Sequence, residues 1–142
     1  MSGAALRELM RATLARGKPF RFCARGDSMS PFIHDGDVLT VAPAAAPRRG
    51  DVVAFLDPRN GRLTVHRIVA AAHGGFLIKG DSLRAPDGVM PREALWGSVV
   101  RVERDGRAVR FGLGIERAAI AYLSKRDLLR RVTSAFPPRE RE

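Results

Sequence analysis

The apolar positions near the start of the chain recur at three- and four-residue intervals, the spacing of one face of an α-helix. These positions are Leu6, Leu9, Met10 and Leu14, and Thr13 falls on the same face. Gly17 and Pro19 then interrupt the pattern, because neither residue continues a helix well. We expect a short amphipathic helix within residues 1–18, packed on the core of its own domain. The alternative is a helix that binds a membrane surface or a partner.

Between residues 20 and 112 the pattern changes to short apolar runs rich in β-branched residues, which is typical of strands. The runs are residues 38–41, 52–55, 63–69, 76–78, 97–102 and 108–111. Asn60-Gly61 and Asp105-Gly106 favour tight hairpin turns. Many short strands at this spacing predict a mainly β domain, either a barrel or a coiled sheet.

After Gly114 the apolar residues return to helical intervals. They are Ile115, Ala119, Tyr122, Leu129 and Phe136, and four arginines and one lysine lie between them. Pro137-Pro138 cannot continue a helix. The pattern predicts a basic C-terminal helix over residues 115–136 and a frayed tail over residues 137–142.

The composition indicates one soluble, basic domain. The chain has 142 residues and a net charge of +10, and a field of that sign attracts phosphates, anionic lipid head groups or acidic peptides. A solvated basic surface without a partner is the simpler interpretation. Aromatic residues make up only 6% of the chain, so base stacking, and with it nucleic-acid binding, has little support.

The sequence also bears on the compartment. Cys23 is the single cysteine, which fits a reducing environment, and its place beside Phe22 suggests a small buried residue. No run approaches the roughly 20 apolar residues that span a bilayer. Arg7, Glu8 and Arg11 interrupt any secretory core. We expect a cytoplasmic protein with no transmembrane anchor or signal peptide, in at most peripheral contact with an anionic membrane.

Gly26-Asp27-Ser28-Met29-Ser30-Pro31 is the segment most suited to present a nucleophile. Glycine permits a backbone turn that most residues resist, and proline makes the exit rigid. The Ser28 hydroxyl would then point in a fixed direction. A serine hydroxyl is a weak nucleophile unless a neighbouring base accepts its proton.

His66 is the candidate general base, because it lies in a predicted strand and imidazole titrates near neutral pH. A third group should orient the ring, and either Asp81 or Asp87, which follow the next strand, could reach it. His34 and His73 lie in turn-like segments and are expected on the surface. The histidines have no metal-ligand spacing, so neither a metal nor another cofactor is expected.

Six short blocks, in their order along the chain, resemble the signal peptidase I superfamily, which also contains the SOS and phage repressor peptidases. The blocks are Gly26-Asp27-Ser28-Met29-Ser30-Pro31, Asp35-Gly36-Asp37-Val38, Gly50-Asp51-Val52-Val53, Val65-His66-Arg67-Ile68-Val69, Lys79-Gly80-Asp81-Ser82 and Leu95-Trp96-Gly97-Ser98-Val99. The resemblance implies a β-rich, barrel-like peptidase fold. It also implies endopeptidase cleavage of extended signal or leader peptides after small residues.

The resemblance further assigns roles to residues. Histidine at position 66, where most bacterial members have lysine, is similar to the endoplasmic-reticulum-type and archaeal-type branch, which also has two aspartates six apart. Ser28, His66, Asp81 and Asp87 are therefore the expected catalytic residues. The Ser28 backbone N–H is the expected oxyanion donor. Substrate contacts are expected beside the nucleophile and the base, at Met29, Pro31 and Val65.

Two features depart from that superfamily. Only 25 residues precede Gly26, enough for one short helix, so neither the usual membrane anchor nor a repressor's DNA-binding domain is expected. A cytosolic protease that matures a leader peptide is one use that fits. The competing hypothesis is an inactive peptidase-like module that binds a peptide or an anionic membrane surface.

Overall fold

The computed structural model describes residues 3–43, 46–109, 113 and 116–125. These residues form one antiparallel β-sheet, with one short α-helix before its strands and one after them. The elements are α1 (Gly3–Ala15), β1 (Phe20–Cys23), β2 (Val38–Ala42), β3 (Val52–Leu56), β4 (Leu63–Ala72), β5 (Gly75–Lys79), β6 (Gly88–Met90), a 3-10 turn (Arg92–Ala94), β7 (Leu95–Arg104), β8 (Arg107–Val109) and α2 (Arg117–Lys125). The prediction of a mainly β fold between two helices is confirmed.

The strands of the sheet follow the order β1-β2-β7-β3-β4-β5-β6, and β8 pairs with β7. Within the described residues this path has two ends, β1 and β6. The register shifts at three places, in the pairs β2–β7, β3–β7 and β4–β5. Such bulges bend strands and increase their twist, so the sheet departs from a flat ladder at these three places.

Strand β4 is paired differently along its two halves. Residues 63–67 pair with β3, and residues 67–72 pair with β5. Among the described strands, the first half of β4 therefore has a partner on one side only. His66 lies in that half, next to the point where β5 begins to pair.

Helix α1 covers the largest of three apolar clusters in the described part of the chain. Its buried residues Met10 and Leu14 pack with Leu39, Val41 and Val102 of β2 and β7. The prediction that this helix packs on its own domain is thereby confirmed, although Leu9 at the edge of the face is exposed. A second cluster is formed by buried residues of the five strands β3 to β7.

The two predicted hairpins are confirmed. Asn60-Gly61 lies in the turn between β3 and β4, and Asp105-Gly106 joins β7 to β8. Asp105 has a φ of 53° and Gly106 a φ of 77°, and positive φ at both central residues is what a type I′ turn requires.

Strand β1 and its cysteine correct one expectation. Burial alternates along β1, with Phe20 and Phe22 turned inward and Arg21 exposed. Because successive side chains of a strand face opposite sides, Cys23 faces out with Arg21. The prediction of a buried Cys23 is wrong, and the thiol is exposed.

Helix α2 begins at Arg117 and buries a face other than the predicted one. Ile120, Ala121 and Ser124 are buried, whereas Tyr122 is about half exposed, at 48%. Ile120 packs against Phe32, and this contact sets the rotation of the helix. The predicted continuation over residues 126–136, the tail over 137–142 and the end of the run 108–111 lie outside the described residues. In the part of the chain that the structure describes, neither helix has the length and apolarity to cross a membrane.

Candidate active site

Hydrogen bonds hold the Ser28 loop on both sides of the serine. Gly26, with a φ of 83°, donates its N–H to Asp35 Oδ1 at 2.9 Å. The Ser30 N–H donates to the Asp27 carbonyl at 3.0 Å and closes a turn around Ser28. The glycine thus allows a left-handed turn, and the turn fixes the direction of the serine that follows.

An ion pair anchors the far end of this loop to the sheet. Arg104 of β7 donates to both oxygens of the buried Asp37, at 2.9 and 2.8 Å. Burial alone would raise the pKa of Asp37, but hydrogen bonds from Arg104 and from the His34 N–H outweigh it and lower the pKa. The loop that carries Ser28 is therefore tied to a rigid strand.

His66 and Ser28, far apart in sequence, meet at one face of β4. The His66 Nε2 lies 3.0 Å from the Ser28 Oγ, within hydrogen-bond distance. The imidazole is buried, and it packs edge-to-face with the Phe55 ring, with the two ring centroids 6.0 Å apart. A strand neighbour and an aromatic contact thus fix the ring in front of the hydroxyl.

Asp87 is the carboxylate that contacts the imidazole. Its Oδ2 lies 2.5 Å from the His66 Nδ1, and its side chain is only 2% exposed. The Asp87 N–H donates to the Ile78 carbonyl at 2.7 Å, which ties the residue to the end region of β5. An ionised carboxylate only accepts hydrogen bonds, so in a neutral imidazole held this way the proton sits on Nδ1 and the Nε2 lone pair is directed at the Ser28 Oγ.

Asp81 is placed elsewhere, in a buried ion pair with Arg67. The Arg67 Nε and Nη2 donate to its carboxylate at 2.9 to 3.1 Å. Burial raises the pKa of Asp81, and the Arg67 guanidinium acts in the opposite direction. Arg67 also donates to the Gly50 carbonyl at 2.8 Å. Of the two predicted aspartates, the structure thus brings Asp87 to His66 and Asp81 to Arg67.

The segment after β5 also holds the Ser28 loop directly. The Ser82 N–H donates to the Ser28 carbonyl at 3.0 Å, and the Ser82 hydroxyl donates to the Asp27 carbonyl at 2.7 Å. The nucleophile loop and the segment that leads to Asp87 are therefore joined by two hydrogen bonds.

Two residues of the β3–β4 turn belong to the site and were not predicted. Arg59 Nη2 donates to Asp87 Oδ1 at 2.8 Å and to Asp57 Oδ2 at 2.8 Å. The hydrogen bond from Arg59 lowers the pKa of the buried Asp57. The only signal in the sequence was Asp57-Pro58-Arg59 beside a predicted hairpin, which is typical of ordinary turns.

The predicted substrate contacts differ in exposure. Pro31 is exposed, Val65 is half-buried, and Met29 is buried, with its Sδ accepting a hydrogen bond from the Asp81 N–H at 3.5 Å. Met29 thus supports the loop from inside the core. Within the described part of the chain, the Ser28 N–H donates to no protein acceptor.

The remaining histidines lie apart from this arrangement. His34 is half-buried, with its Nε2 3.0 Å from the Pro31 carbonyl oxygen, and His73 is exposed. Over residues 3–43, 46–109, 113 and 116–125, no group of three or more His, Cys, Asp or Glu side chains is placed to hold a metal ion.

The arrangement has the parts that activate a hydroxyl. A hydroxyl, an imidazole and a buried carboxylate lie in series, each within hydrogen-bond distance of the next. In such a series the ring can accept the hydroxyl proton, and the carboxylate stabilises the imidazolium that forms.

Similarity to known proteins agrees with this geometry. A family model described as Peptidase S24-like matches residues 7–100, more than half of the chain and including all three side chains. A search of the curated proteins gave no match. The chain belongs to the Peptidase S24-like family.

Proposed function

We propose that this protein is a serine endopeptidase of the Ser/His type, which cleaves signal or leader peptides after small residues. The observation that carries the proposal is the 3.0 Å contact between the Ser28 Oγ and the His66 Nε2, with Asp87 on the other ring nitrogen. The histidine at position 66 supports the Ser/His branch over the lysine-dependent one. Resemblance of the six sequence blocks supports the substrate class.

In the first half of the reaction, the Ser28 Oγ attacks the carbonyl carbon of the scissile bond. The His66 Nε2 accepts the hydroxyl proton as the carbon–oxygen bond forms. Asp87 holds the Nδ1 proton and stabilises the positive ring. The carbonyl oxygen becomes an oxyanion, and the donor that stabilises it in this proposal is the Ser28 N–H, which donates to no acceptor in the described part of the protein.

In the second half, the proton on Nε2 passes to the leaving amine and the peptide bond breaks. The N-terminal part of the substrate stays bound to the Ser28 Oγ as an ester. A water molecule then attacks this ester, and His66 accepts its proton and returns it to the serine. The enzyme regains its starting state and needs no cofactor for these steps.

In the described sheet, the first half of β4 has an unpaired side that can bind a substrate in an extended conformation. Residues 63–66 pair with β3 on one side, and the register with β5 begins only at Arg67. A peptide that adds itself along the open side as a strand forms backbone hydrogen bonds. It would then pass between the His66 strand and the Ser28 loop, beside Val65 and Pro31.

Cleavage of a defined peptide mixture tests the proposal. The purified chain and its Ser28→Ala variant are incubated with peptides that carry signal or leader sequences, including those encoded by neighbouring genes. Mass spectrometry then locates new termini. We expect cuts after small residues with the wild type, and a loss of about 10³-fold or more with the variant.

Ser98→Ala is the matched control, because Ser98 lies on β7 and outside the site. It should cleave like the wild type. Cleavage that persists in Ser28→Ala would remove Ser28 from the mechanism. Peptide binding without cleavage by the wild type would contradict the proposal and favour the inactive binding module, and vesicles with and without anionic lipid would then test its membrane form.

A further inference from the structure

We propose that Arg59 is a positioning residue, which holds one oxygen of Asp87 so that the other oxygen faces His66. The inference rests on the proposed function, because it assigns a role within the same site. Arg59 lies in the turn between β3 and β4, and it touches neither Ser28 nor the imidazole in the contacts that the structure describes. Its effect on the reaction is therefore indirect.

The contacts divide the Asp87 carboxylate between two cations. Oδ1 accepts from the Arg59 Nη2 at 2.8 Å, and Oδ2 lies against the His66 Nδ1. A carboxylate has two oxygens and can rotate about its Cβ–Cγ bond. With one oxygen bound by Arg59, the plane of the group is fixed, and the second oxygen cannot turn away from the ring.

Arg59 is itself held in place by Asp57. The Arg59 N–H and Nε donate to Asp57 Oδ1 at 2.9 and 3.0 Å, and the Nη2 donates to Oδ2 at 2.8 Å. The Arg59 side chain is 61% exposed, whereas Asp57 and Asp87 are nearly inaccessible. A flexible, exposed arginine gains little from one ion pair. Multiple bonds to two buried carboxylates favour one conformation of it.

The charges around His66 provide a second way to test the role of Arg59, through the pH dependence of the rate. The imidazole faces Ser28, Asp87 and the Phe55 ring, and the charge of Asp57 also acts on it. The negative charges of Asp57 and Asp87 are thus balanced by the positive charges of Arg59 and of the protonated His66 ring. Without Arg59 the surplus negative charge favours the protonated imidazole, so the acid limb of the rate profile moves to higher pH.

Proton NMR of the full-length chain tests the hydrogen bond independently of activity. An imidazole N–H bound to a carboxylate gives a far-downfield resonance, which Asp87→Asn assigns by its disappearance. We expect the resonance in the wild type, its loss or broadening in Arg59→Ala, and partial retention in Arg59→Lys. Arg62→Ala is the matched control, since it removes an exposed arginine from the same turn and should keep the resonance.

Kinetics with a cleaved peptide supply the second measurement. Arg59→Ala should lower kcat about tenfold at unchanged KM, because small misplacements of a catalytic group cost up to ~10²-fold. Its acid limb should lie at higher pH, whereas Arg62→Ala should match the wild type. A raised KM with unchanged kcat, pH profile and resonance would overturn the proposal and make Arg59 a substrate contact. If the wild type cleaves no peptide, the proposed function fails, and the resonance comparison still decides the role of Arg59.

Discussion

Two buried aspartates, six positions apart after the same strand, have different partners. Asp87 faces an imidazole and an exposed arginine at the edge of the sheet. Asp81 faces Arg67, and neither of their side chains is accessible to solvent. Their partners are adjacent on β4, and successive residues of a strand face opposite sides. The alternation of β4 thus separates a carboxylate that can take part in chemistry from one that ties the domain together.

The surroundings of the two pairs sharpen this difference. The Arg67 guanidinium lies over the Phe32 ring, with its Cζ 5.3 Å from the ring centroid. Phe32 in turn packs against helix α2. Lys79 and Ser124 lie nearby, with the Lys79 Nζ 3.4 Å from the Ser124 Oγ. The Asp81 region therefore joins the sheet, the Ser28 loop and α2. We expect changes there to affect the free energy of unfolding, and changes around Asp87 to affect the rate.

Asp87→Asn should give the largest effect on the rate. An amide can donate a hydrogen bond to Nδ1, and the Nε2 would then carry the proton and face Ser28 as a donor. We expect kcat to fall about 10⁴-fold, as for a wrong imidazole tautomer, while the free energy of unfolding changes little. Peptide cleavage and urea denaturation measure the two quantities. Asp105→Asn, an equivalent change in an exposed turn, should leave both unchanged.

Asp81→Asn should lower the free energy of unfolding and leave kcat nearly unchanged. The Arg67 guanidinium would stay buried without its counter-charge, and breaking a buried ion pair costs about 3–5 kcal/mol. Urea denaturation should show a loss toward the lower end of that range, because asparagine still accepts one hydrogen bond. Cleavage by the folded fraction should stay within a few-fold of the wild type.

A double variant separates the ion pair from other roles of Asp81. Arg67→Met with Asp81→Leu removes both charges and keeps the volume filled, so it should lose less stability than Asp81→Asn alone. The catalytic prediction for Asp81 would instead be favoured by a different pattern. In that pattern Asp81→Asn abolishes cleavage and leaves the free energy of unfolding unchanged.

The sequence could predict the strands and hairpins because their signals are local. Period-two patterns and Asn-Gly or Asp-Gly pairs act over a few residues, and the structure confirms the two hairpins. The burial of Cys23 was predicted wrongly, although the alternation Phe20-Arg21-Phe22 indicates that residue 23 faces outward with Arg21. Contacts from elsewhere set the buried face of α2, because Phe32 is distant in sequence.

The candidate site likewise contains residues that local motifs predict and residues whose placement depends on distant contacts. Ser28 and His66 were found from their motifs, and the structure places their side chains together. The choice between Asp81 and Asp87 depends on the path of the segment after β5, which no short pattern specifies. Arg59 had no signal beyond a turn, because its role comes from a contact 28 positions away.

Asp57 should make the Asp87 region sensitive to acid. The hydrogen bond from Arg59 holds the pKa of Asp57 below its ordinary value of 3.8. A carboxyl with a lowered pKa in the folded state stabilises that state above the unfolded pKa, and this stabilisation is lost as the pH falls through the folded pKa. Urea denaturation between neutral pH and pH ~3 should therefore show a smaller acid-induced loss in Asp57→Asn than in the wild type. Equal losses in both proteins would exclude this contribution.

The removal of single hydroxyls gives the smallest and most direct comparison of the two regions. Ser124→Ala deletes a buried hydroxyl beside Lys79 and Asp81, so we expect a loss of about 1 kcal/mol in the free energy of unfolding and unchanged cleavage. Ser82→Ala deletes the hydrogen bond to the Asp27 carbonyl and frees the Ser28 loop, so we expect a few-fold lower kcat with a smaller loss of stability. The same assays on both variants give the test. If Ser124→Ala lowers kcat as much as Ser82→Ala does, α2 acts on the catalytic residues, and the separation of the two aspartate regions fails.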